Sequence, residues 1–140
     1  MTVQQEMAEI EAKSEQFRTA ASNSMAQQDA NMITAEWYQM WDDELNSLWD
    51  RLMERVEGTR RENVLIDQRN WVKEKEEKVA AAGKEAEGGS LQPQLENGAA
   101  MRLTRLRAYH LAALLGEVNG EGFNVPENVQ KEILEENRQN

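Results

Sequence analysis

The sequence predicts an all-α fold, namely a bundle of three to four antiparallel helices with a short helix in the C-terminal tail. The chain has 140 residues, enough for one domain, and only 2 of them are proline and 8 glycine. Helix-favouring residues such as Ala, Glu, Leu, Gln and Arg are abundant. Apolar residues recur at every third or fourth position along several long segments. No segment shows the alternation of apolar and polar residues that is typical of a strand. Together these observations argue against a sheet-based fold.

The N-terminal region, residues 1–23, is predicted to be an amphipathic helix or arm. Its apolar residues form one narrow stripe, which is the geometry of a helix that packs on another helix. Ser14 lies on the stripe and interrupts it. We therefore expect either a mobile arm or a homodimer contact through residues 1–22. The stripe consists of Val3, Met7, Ile10, Phe17 and Ala21.

The central region, residues 24–118, carries the strongest periodic signal, a helix from about Gln27 to Glu57. Trp37 and Trp41 lie one turn apart on its apolar stripe and are predicted to be core residues. Trp49 lies away from that stripe. Because Trp is over-represented among the hot spots of protein interfaces, Trp49 and its neighbour Asp50 are predicted to form a partner surface. Acidic residues on the opposite side of the helix are Glu36, Asp43, Asp50 and Glu54.

Two further helices are predicted, from about Arg60 to Ala82 and from about Leu95 to Val118. The segment between them, residues 84–94, is predicted to be a loop because its glycines and Pro93 disfavour regular structure. The acidic tail, residues 119–140, is predicted either to form a short helix behind Pro126 or to be disordered.

The net charge of -10 bears on the class of partner. An acidic surface repels nucleic acid and anionic membranes, so the predicted partner is another protein, one with a basic surface. A local exception is the run that carries Arg102, Arg105 and Arg107. A helix distributes these three around its circumference, so a helix with solvated or ion-paired arginines is favoured over an anion-binding site. No segment is apolar enough to be predicted as a membrane span.

The sequence offers few residues for catalysis, and the protein is predicted not to be an enzyme. It contains no cysteine and one histidine, His110, which excludes thiolate chemistry and the helical metal motifs that need several histidines. A general base also needs an orienting partner, and none is evident beside His110. We therefore predict no catalytic residue, no metal site and no cofactor, and interpret His110 as a structural or surface residue.

Several short motifs resemble those of the LprI-like family of lysozyme inhibitors, in the same order and at similar spacing over about residues 24–115. Tyr38 is followed by an Asp-Asp-Glu-Leu-Asn run at residues 42–46. The run from Leu65 to Lys75 resembles a Leu-x-x-x-Gln-Arg-x-Trp-x-x-x-Arg motif, with lysine at the last position. Gly-Gly-Ser at residues 88–90 and the Thr-x-x-Arg-x-x-x-Leu pattern that begins at Thr104 complete the resemblance.

The resemblance implies an all-helical protein that binds another protein, and specifically an inhibitor that occludes a basic muramidase such as lysozyme. The alternative is an intracellular structural or adaptor protein with the same fold and an unrelated partner. The motif residues are predicted to be architectural, although a ligand or partner site is the alternative. In particular, Asn46, Gln68 and Arg107 are expected to form hydrogen bonds between helices or a salt bridge with Asp42. The full set is Asp42, Leu45, Asn46, Gln68, Trp71, Thr104, Arg107 and Leu111.

The family usually carries cysteines at three places where this chain has Ile33, Val79 and about Ala99. Apolar residues in place of disulfide sulfurs suit a reducing compartment. In addition, Met1 to Ser24 has no basic segment followed by an apolar one, as an export signal would have. The sequence as written therefore predicts a cytoplasmic protein. A periplasmic or secreted location is the alternative, if a signal peptide has been removed.

Overall fold

The computed structural model describes residues 1–139, which form five α-helices, one short 3-10 turn and no strand. The predicted all-α class, a helical bundle with a short C-terminal helix, is confirmed. The helices are α1 (Val3–Ser22), α2 (Gln27–Arg55), α3 (Gly58–Gly83), α4 (Gln92–Val118) and α5 (Glu127–Arg138), and the 3-10 turn spans Lys84–Ala86.

Consecutive helices run antiparallel, so α2 and α4 are parallel to each other. Near one end of this pair, Gln27 of α2 bonds to Gln94 of α4. At the other end, a guanidinium nitrogen of Arg55 bonds to the carbonyl of Val118. Two parallel helices need a long connection between them, which α3 provides by running back along α4.

Helix α4 is the centre of the bundle and packs against each of the other four helices. Its most extensive contact is with α2, where the rings of Trp41 and Tyr109 lie 6.1 Å apart. Alanines and a glycine on α4 allow its neighbours to approach closely, and the helix is buried around most of its circumference. Its buried small residues are Ala99, Ala100, Ala108, Ala112 and Gly116.

The apolar stripe of α1 packs against α2 and α4 of the same chain. Val3 and Met7 are buried, and Ser14 is completely excluded from solvent. The Oγ of Ser14 accepts hydrogen bonds from the indole nitrogens of Trp37 (2.9 Å) and Trp41 (3.0 Å). Ser14, which interrupts the apolar stripe in the sequence, therefore supplies the hydrogen-bond acceptor for the indole N–H groups of two core tryptophans.

One local prediction needs correction. Helix α4 begins at Gln92, inside the segment predicted to be a loop, because Pro93 falls in the first turn, where a missing N–H is harmless. Gly58 is the first residue of α3, just after the break from α2, and has a φ of 58°, a conformation that glycine adopts readily. Of the two alternatives for the tail, the short helix is confirmed as α5, whose Val129 is fully buried.

None of the helices within residues 1–139 is both long enough and apolar enough to cross a lipid bilayer.

Candidate functional site

Motif residues from three helices meet on one side of the bundle, in a set that we call the motif cluster: Tyr38, Asp67, Gln68, Trp71, Lys75, Arg107 and His110. The Nζ of Lys75 on α3 donates to the hydroxyl of Tyr38 on α2 at 2.6 Å. The same Nζ lies 5.5 Å from the ring centre of Trp71, and the guanidinium carbon of Arg107 on α4 lies 5.6 Å from it. Two cations thus interact with one indole. The cluster joins α2, α3 and α4.

Arg107 is the most highly bonded member of the motif cluster. Its Nε donates to Gln68 Oε1 (2.8 Å) and a terminal nitrogen donates to Asp67 Oδ2 (2.7 Å), although its side chain is only 10% exposed. Burial would raise the pKa of Asp67, but the hydrogen bond and charge of Arg107 outweigh it and lower that pKa. Gln68 and Arg107 thus form the hydrogen bond between helices that the sequence predicts.

His110 lies at the edge of the motif cluster, with Nε2 3.5 Å from Asp67 Oδ2 and a side chain that is 45% exposed. Its pKa is lowered by burial and by the positive charge of Arg107, despite the opposing effect of Asp67. The imidazole therefore stays neutral at neutral pH. Asp67 is held by Arg107, so it is not free to serve as a dedicated orienting group for a histidine base.

Asp42 does not form the predicted salt bridge with Arg107, because Asp67 on α3 occupies that position. Instead, Asp42 accepts a long hydrogen bond of 3.4 Å from Asn46, one turn along α2 on the protein surface. Asn46 therefore makes a local contact and does not join two helices. Of the remaining motif residues, Leu45 and Leu111 are core residues, and Thr104 is fully buried with a hydroxyl that bonds to no protein atom within residues 1–139.

A cleft of about 220 Å³ lies beside the motif cluster, between α3, α4 and α5. Trp71 and Arg107 form one wall, and Ile133 of α5 lies opposite. Lys78 and Glu136 are joined across the cleft by a hydrogen bond of 3.1 Å. The charged groups at this cleft are therefore largely paired with one another. Among residues 1–139 no group of three or more His, Asp or Glu side chains is arranged to hold a metal ion.

The three arginines of α4 are all ion-paired, as favoured from the sequence over an anion-binding site. Arg102 lies 3.7 Å from Glu136, and Arg107 bonds to Asp67. Arg105 is only 4% exposed and bonds to Glu11 of α1 (2.9 Å) and to Glu132 of α5. The Tyr109 hydroxyl donates to Glu11 Oε1 at 2.7 Å, so four side chains from three helices share one network around the buried guanidinium of Arg105.

This network is not predictable from the local sequence. Glu11 and Glu132 lie in the regions outside the predicted central domain, and nothing in their local sequence indicates that they meet. Burial, together with the hydrogen bond to Glu11, raises the pKa of Tyr109, so the phenol stays protonated. The network attaches both terminal helices to α4.

A second missed group lies between α1 and α2, where Arg51 makes two hydrogen bonds to the carboxylate of Glu6. Glu44 lies beside this pair and is only 9% exposed, and its Oε2 bonds to no protein atom within residues 1–139. Burial and the neighbouring Glu6 raise the pKa of Glu44 to about 8. At neutral pH this carboxyl is therefore mostly protonated.

The outer side of α2 presents the acidic residues seen in the sequence. Asp50 is exposed, whereas Trp49 is half-buried and packs against the hydrophobic core. None of the acidic side chains on this side is within ion-pair distance of a cation in the part of the chain that the structure describes. We call this surface the acidic face; its residues are Glu36, Asp43, Asp50 and Glu54.

The fold and the site define a small helical bundle whose motif residues bond to one another. The outer side of α2 carries negative charge that no cation within the described residues neutralises. The sequence profile described as lysozyme inhibitor LprI matches residues 18–111, and the chain belongs to this family. An uncharacterized protein of Rhizobium meliloti (strain 1021) is 28% identical, over 74% of this chain and 84% of the relative. No solved structure matches the chain.

The three positions at which the family usually has cysteines lie at one end of the bundle. Thr34, next to Ile33, faces Gly98, next to Ala99. The end of α3 that follows Val79 approaches the start of α4. Ala99 is buried, and Ile33 and Val79 are half-buried, so the cysteine-free chain has apolar packing at these places.

Proposed function

We propose that this protein is a non-catalytic inhibitor of a lysozyme-type muramidase and that it acts by occluding the target's substrate cleft. Its membership of a family described as lysozyme inhibitors supports the partner class. The observation that carries the mechanism is the acidic face of α2, whose carboxylates are exposed and have no cationic partner within residues 1–139.

The acidic face has the charge that a basic partner would select. Uncompensated charge on a surface steers an oppositely charged protein and increases its association rate. Trp49 lies beside Asp50 and is held in place by the core, so it can contribute apolar contact area with little loss of conformational freedom. We therefore assign Trp49 and Asp50 to the partner surface.

Binding without catalysis fits the chemistry of the residues described above. At the 220 Å³ cleft, Glu136 is paired with Lys78, and His110 is neutral with Asp67 bonded to Arg107. Arg107 lowers the pKa of Asp67, and a carboxylate with a lowered pKa is a poor general acid. For the motif residues that bond within the bundle, we propose an architectural role: they fix how α2, α3 and α4 pack.

For the location, we propose the periplasmic or secreted alternative, in which the protein reaches cell-wall enzymes. The cytoplasmic location predicted from the sequence has no support from the family, whose members are typically exported. The alternative function of an adaptor that dimerises through residues 1–22 is not favoured by any contact, because the stripe it would use packs on α2 and α4 of the same chain, with Val3 and Met7 buried.

The test is a turbidity assay of cell-wall lysis by a basic c-type lysozyme at low salt, with this protein in increasing molar excess. We expect inhibition that saturates near one molecule of protein per molecule of enzyme and that weakens as salt is added. Full lytic activity at a large excess of the protein would contradict the proposal.

A charge-neutralised variant locates the surface. Asp43→Asn, Asp50→Asn and Glu54→Gln together should slow association by about tenfold at low salt. The matched control removes the same number of exposed carboxylates from α3, at Glu62, Glu76 and Glu77, and should slow association much less. Equal effects of the two triple variants would mean that net charge, and no particular face, governs binding.

A further inference from the structure

We infer that one end of the bundle, formed by residues 19–28 and 88–95, is the part that enters the muramidase cleft. This inference rests on the proposed function and names the surface that occludes the target. We call these two segments the neutral end.

The neutral end is unusual because it carries no charge. Across the whole chain 30% of residues are charged, yet residues 19–28 and 88–95 contain none. The residues present are mainly Ser, Asn, Gln, Ala and Gly, with Met25 and Leu91 among them. Three acidic residues, Asp29, Glu87 and Glu96, border the segments directly, and Lys84 and Glu85 lie in the same connection between α3 and α4. An uncharged surface of this kind stands out on a protein with a net charge of -10.

The neutral end also exposes large apolar side chains. Met25, in the connection between α1 and α2, is fully exposed at 102%, and Leu91, just before α4, is 44% exposed. Met32, on the next turn of α2, is 56% exposed. Asn31 and Ser90, the chain neighbours of Met32 and Leu91, are joined by a hydrogen bond. Neighbouring exposed apolar residues on an otherwise polar protein commonly mark an interaction site.

The two segments of the neutral end are held together and are not independent loops. Gln27 bonds to Gln94, and Asn31 Nδ2 donates to the carbonyl of Ser90 at 3.0 Å. Within the second segment, the amide of Gly88 donates to Gln92 Oε1 at 2.8 Å. Gly88 has a φ of 80°, which glycine adopts without strain. A loop ordered before binding loses less conformational entropy when it binds.

The chemistry of the partner's cleft explains why the inserted surface should be uncharged. Glycosidases of the lysozyme type place two carboxyl groups on either side of the bond they cleave. An acidic segment brought into such a cleft would meet like charge, which disfavours association strongly. Amide and hydroxyl groups can donate hydrogen bonds to those carboxyls, and Met25 and Leu91 can fill apolar positions that a sugar ring would occupy.

The acidic face and the neutral end then have separate roles. Both include residues of α2, but Glu36 to Glu54 lie about 13 to 40 Å along the helix from Gln27, where the neutral end meets α2. The neutral end would enter the negatively charged cleft, while the acidic face approaches basic residues on the enzyme's outer surface. This division requires that a charge placed on the neutral end harm binding more than the same charge elsewhere.

The experiment compares two double variants by calorimetric titration into a c-type lysozyme and by the lysis assay. Met25→Asp with Leu91→Asp places two charges on the neutral end. The control, Ile66→Asp with Leu134→Asp, alters residues of α3 and α5 that are 56% and 58% exposed. A third arm repeats the wild-type titration with chitotriose bound in the enzyme cleft. Circular dichroism and a urea midpoint establish that both variants are folded.

We expect the neutral-end variant to bind about 100-fold more weakly and the control to stay within about threefold of wild type. Chitotriose should compete with the wild-type protein. If wild type inhibits in competition with chitotriose but the neutral-end variant binds equally well, the inference is wrong and the proposed function stands. If wild type neither binds nor inhibits, or if chitotriose does not compete, both are wrong.

Discussion

The indole nitrogen of Trp41 donates a hydrogen bond to the Oγ of Ser14, and both side chains are fully excluded from solvent. Trp37 donates to the same oxygen, which accepts two bonds because a hydroxyl has two lone pairs. One serine of α1 therefore satisfies two tryptophans of α2 inside the core, and it fixes the register between these helices.

Replacing Ser14 with alanine should destabilise the protein well beyond the usual effect of an exposed serine. Two buried indole N–H groups would lose their only acceptor within the described residues, and each unsatisfied donor costs about 1–3 kcal/mol. We expect the free energy of unfolding in urea to fall by about 2–4 kcal/mol. Ser22→Ala, at an exposed position of the same helix, is the control and should change it by less than about 0.5 kcal/mol. Similar losses for the two variants would contradict this interpretation.

Arg105 should be the most sensitive of the three arginines on α4. Arg105→Ala leaves Glu11 and Glu132 without their buried cation, a loss that typically costs about 3–5 kcal/mol. Arg102→Ala removes a pair with an exposed arginine 3.7 Å from its partner, so it should cost at most about 1 kcal/mol. Urea titrations of both variants give the comparison. If Arg102→Ala proved the more damaging, the buried network would not be what attaches α1 and α5.

The buried carboxyl of Glu44 should make stability depend on pH. Its pKa is raised from 4.5 to about 8, so the folded state binds a proton that the unfolded state releases. The resulting stabilisation is complete below pH 4.5 and is lost as the pH rises through 8. Around Glu44 the facing charged groups are Glu6, Arg51 and Lys13.

Glu44→Gln removes this ionisation while keeping the shape of the side chain. Relative to wild type, the variant should gain stability as the pH rises from 4.5 to about 8, the interval between the pKa values of Glu44 in the unfolded and folded states. Thermal unfolding at several pH values measures the difference. Glu54→Gln, at an exposed position of the same helix, should give a curve parallel to that of wild type. A parallel curve for Glu44→Gln would show that Glu44 does not titrate in this range.

Arg107→Lys should weaken the packing of α3 on α4 although the charge is kept. A lysine cannot reproduce the planar arrangement with which arginine bonds to Gln68 and Asp67 at once. We expect a loss of about 1–2 kcal/mol in the free energy of unfolding and increased hydrogen exchange in α3. Arg69→Lys, at an exposed motif arginine on α3, should be nearly neutral.

The helices and much of the core were predictable from sequence, because burial follows the spacing of apolar residues. Trp37, Trp41 and Leu45 lie on one stripe of α2 and are buried as that spacing requires. The family motifs also led to Gln68 and Arg107, which do meet. The motifs did not indicate whether Asp42 or Asp67 pairs with Arg107. Both are polar residues on helices, and the spacing of residues does not determine how those helices are rotated relative to α4.

The polar groups inside the core could not be predicted for a related reason. Ser14, Glu11 and Glu44 look like ordinary helix residues, and their burial depends on which helix packs over them. From sequence alone, the carboxyl groups of Glu11 and Glu44 are expected to be exposed to solvent. Only the folded structure shows that Arg105 lies beside Glu11 and that Glu6 lies beside Glu44. The local sequence of α4 indicated its length, but its position at the centre of the bundle depends on contacts with residues far away in the chain.

The parallel arrangement of α2 and α4 has a consequence for biosynthesis. Trp41, Leu48 and Leu52 of α2 are buried in a core that is built largely by α4. That helix ends at Val118, so the core of α2 stays uncovered until α4 has left the ribosome. Contacts between distant segments also slow folding. The first three helices of the nascent protein therefore wait for the fourth, and the core closes only after α4 has been synthesised.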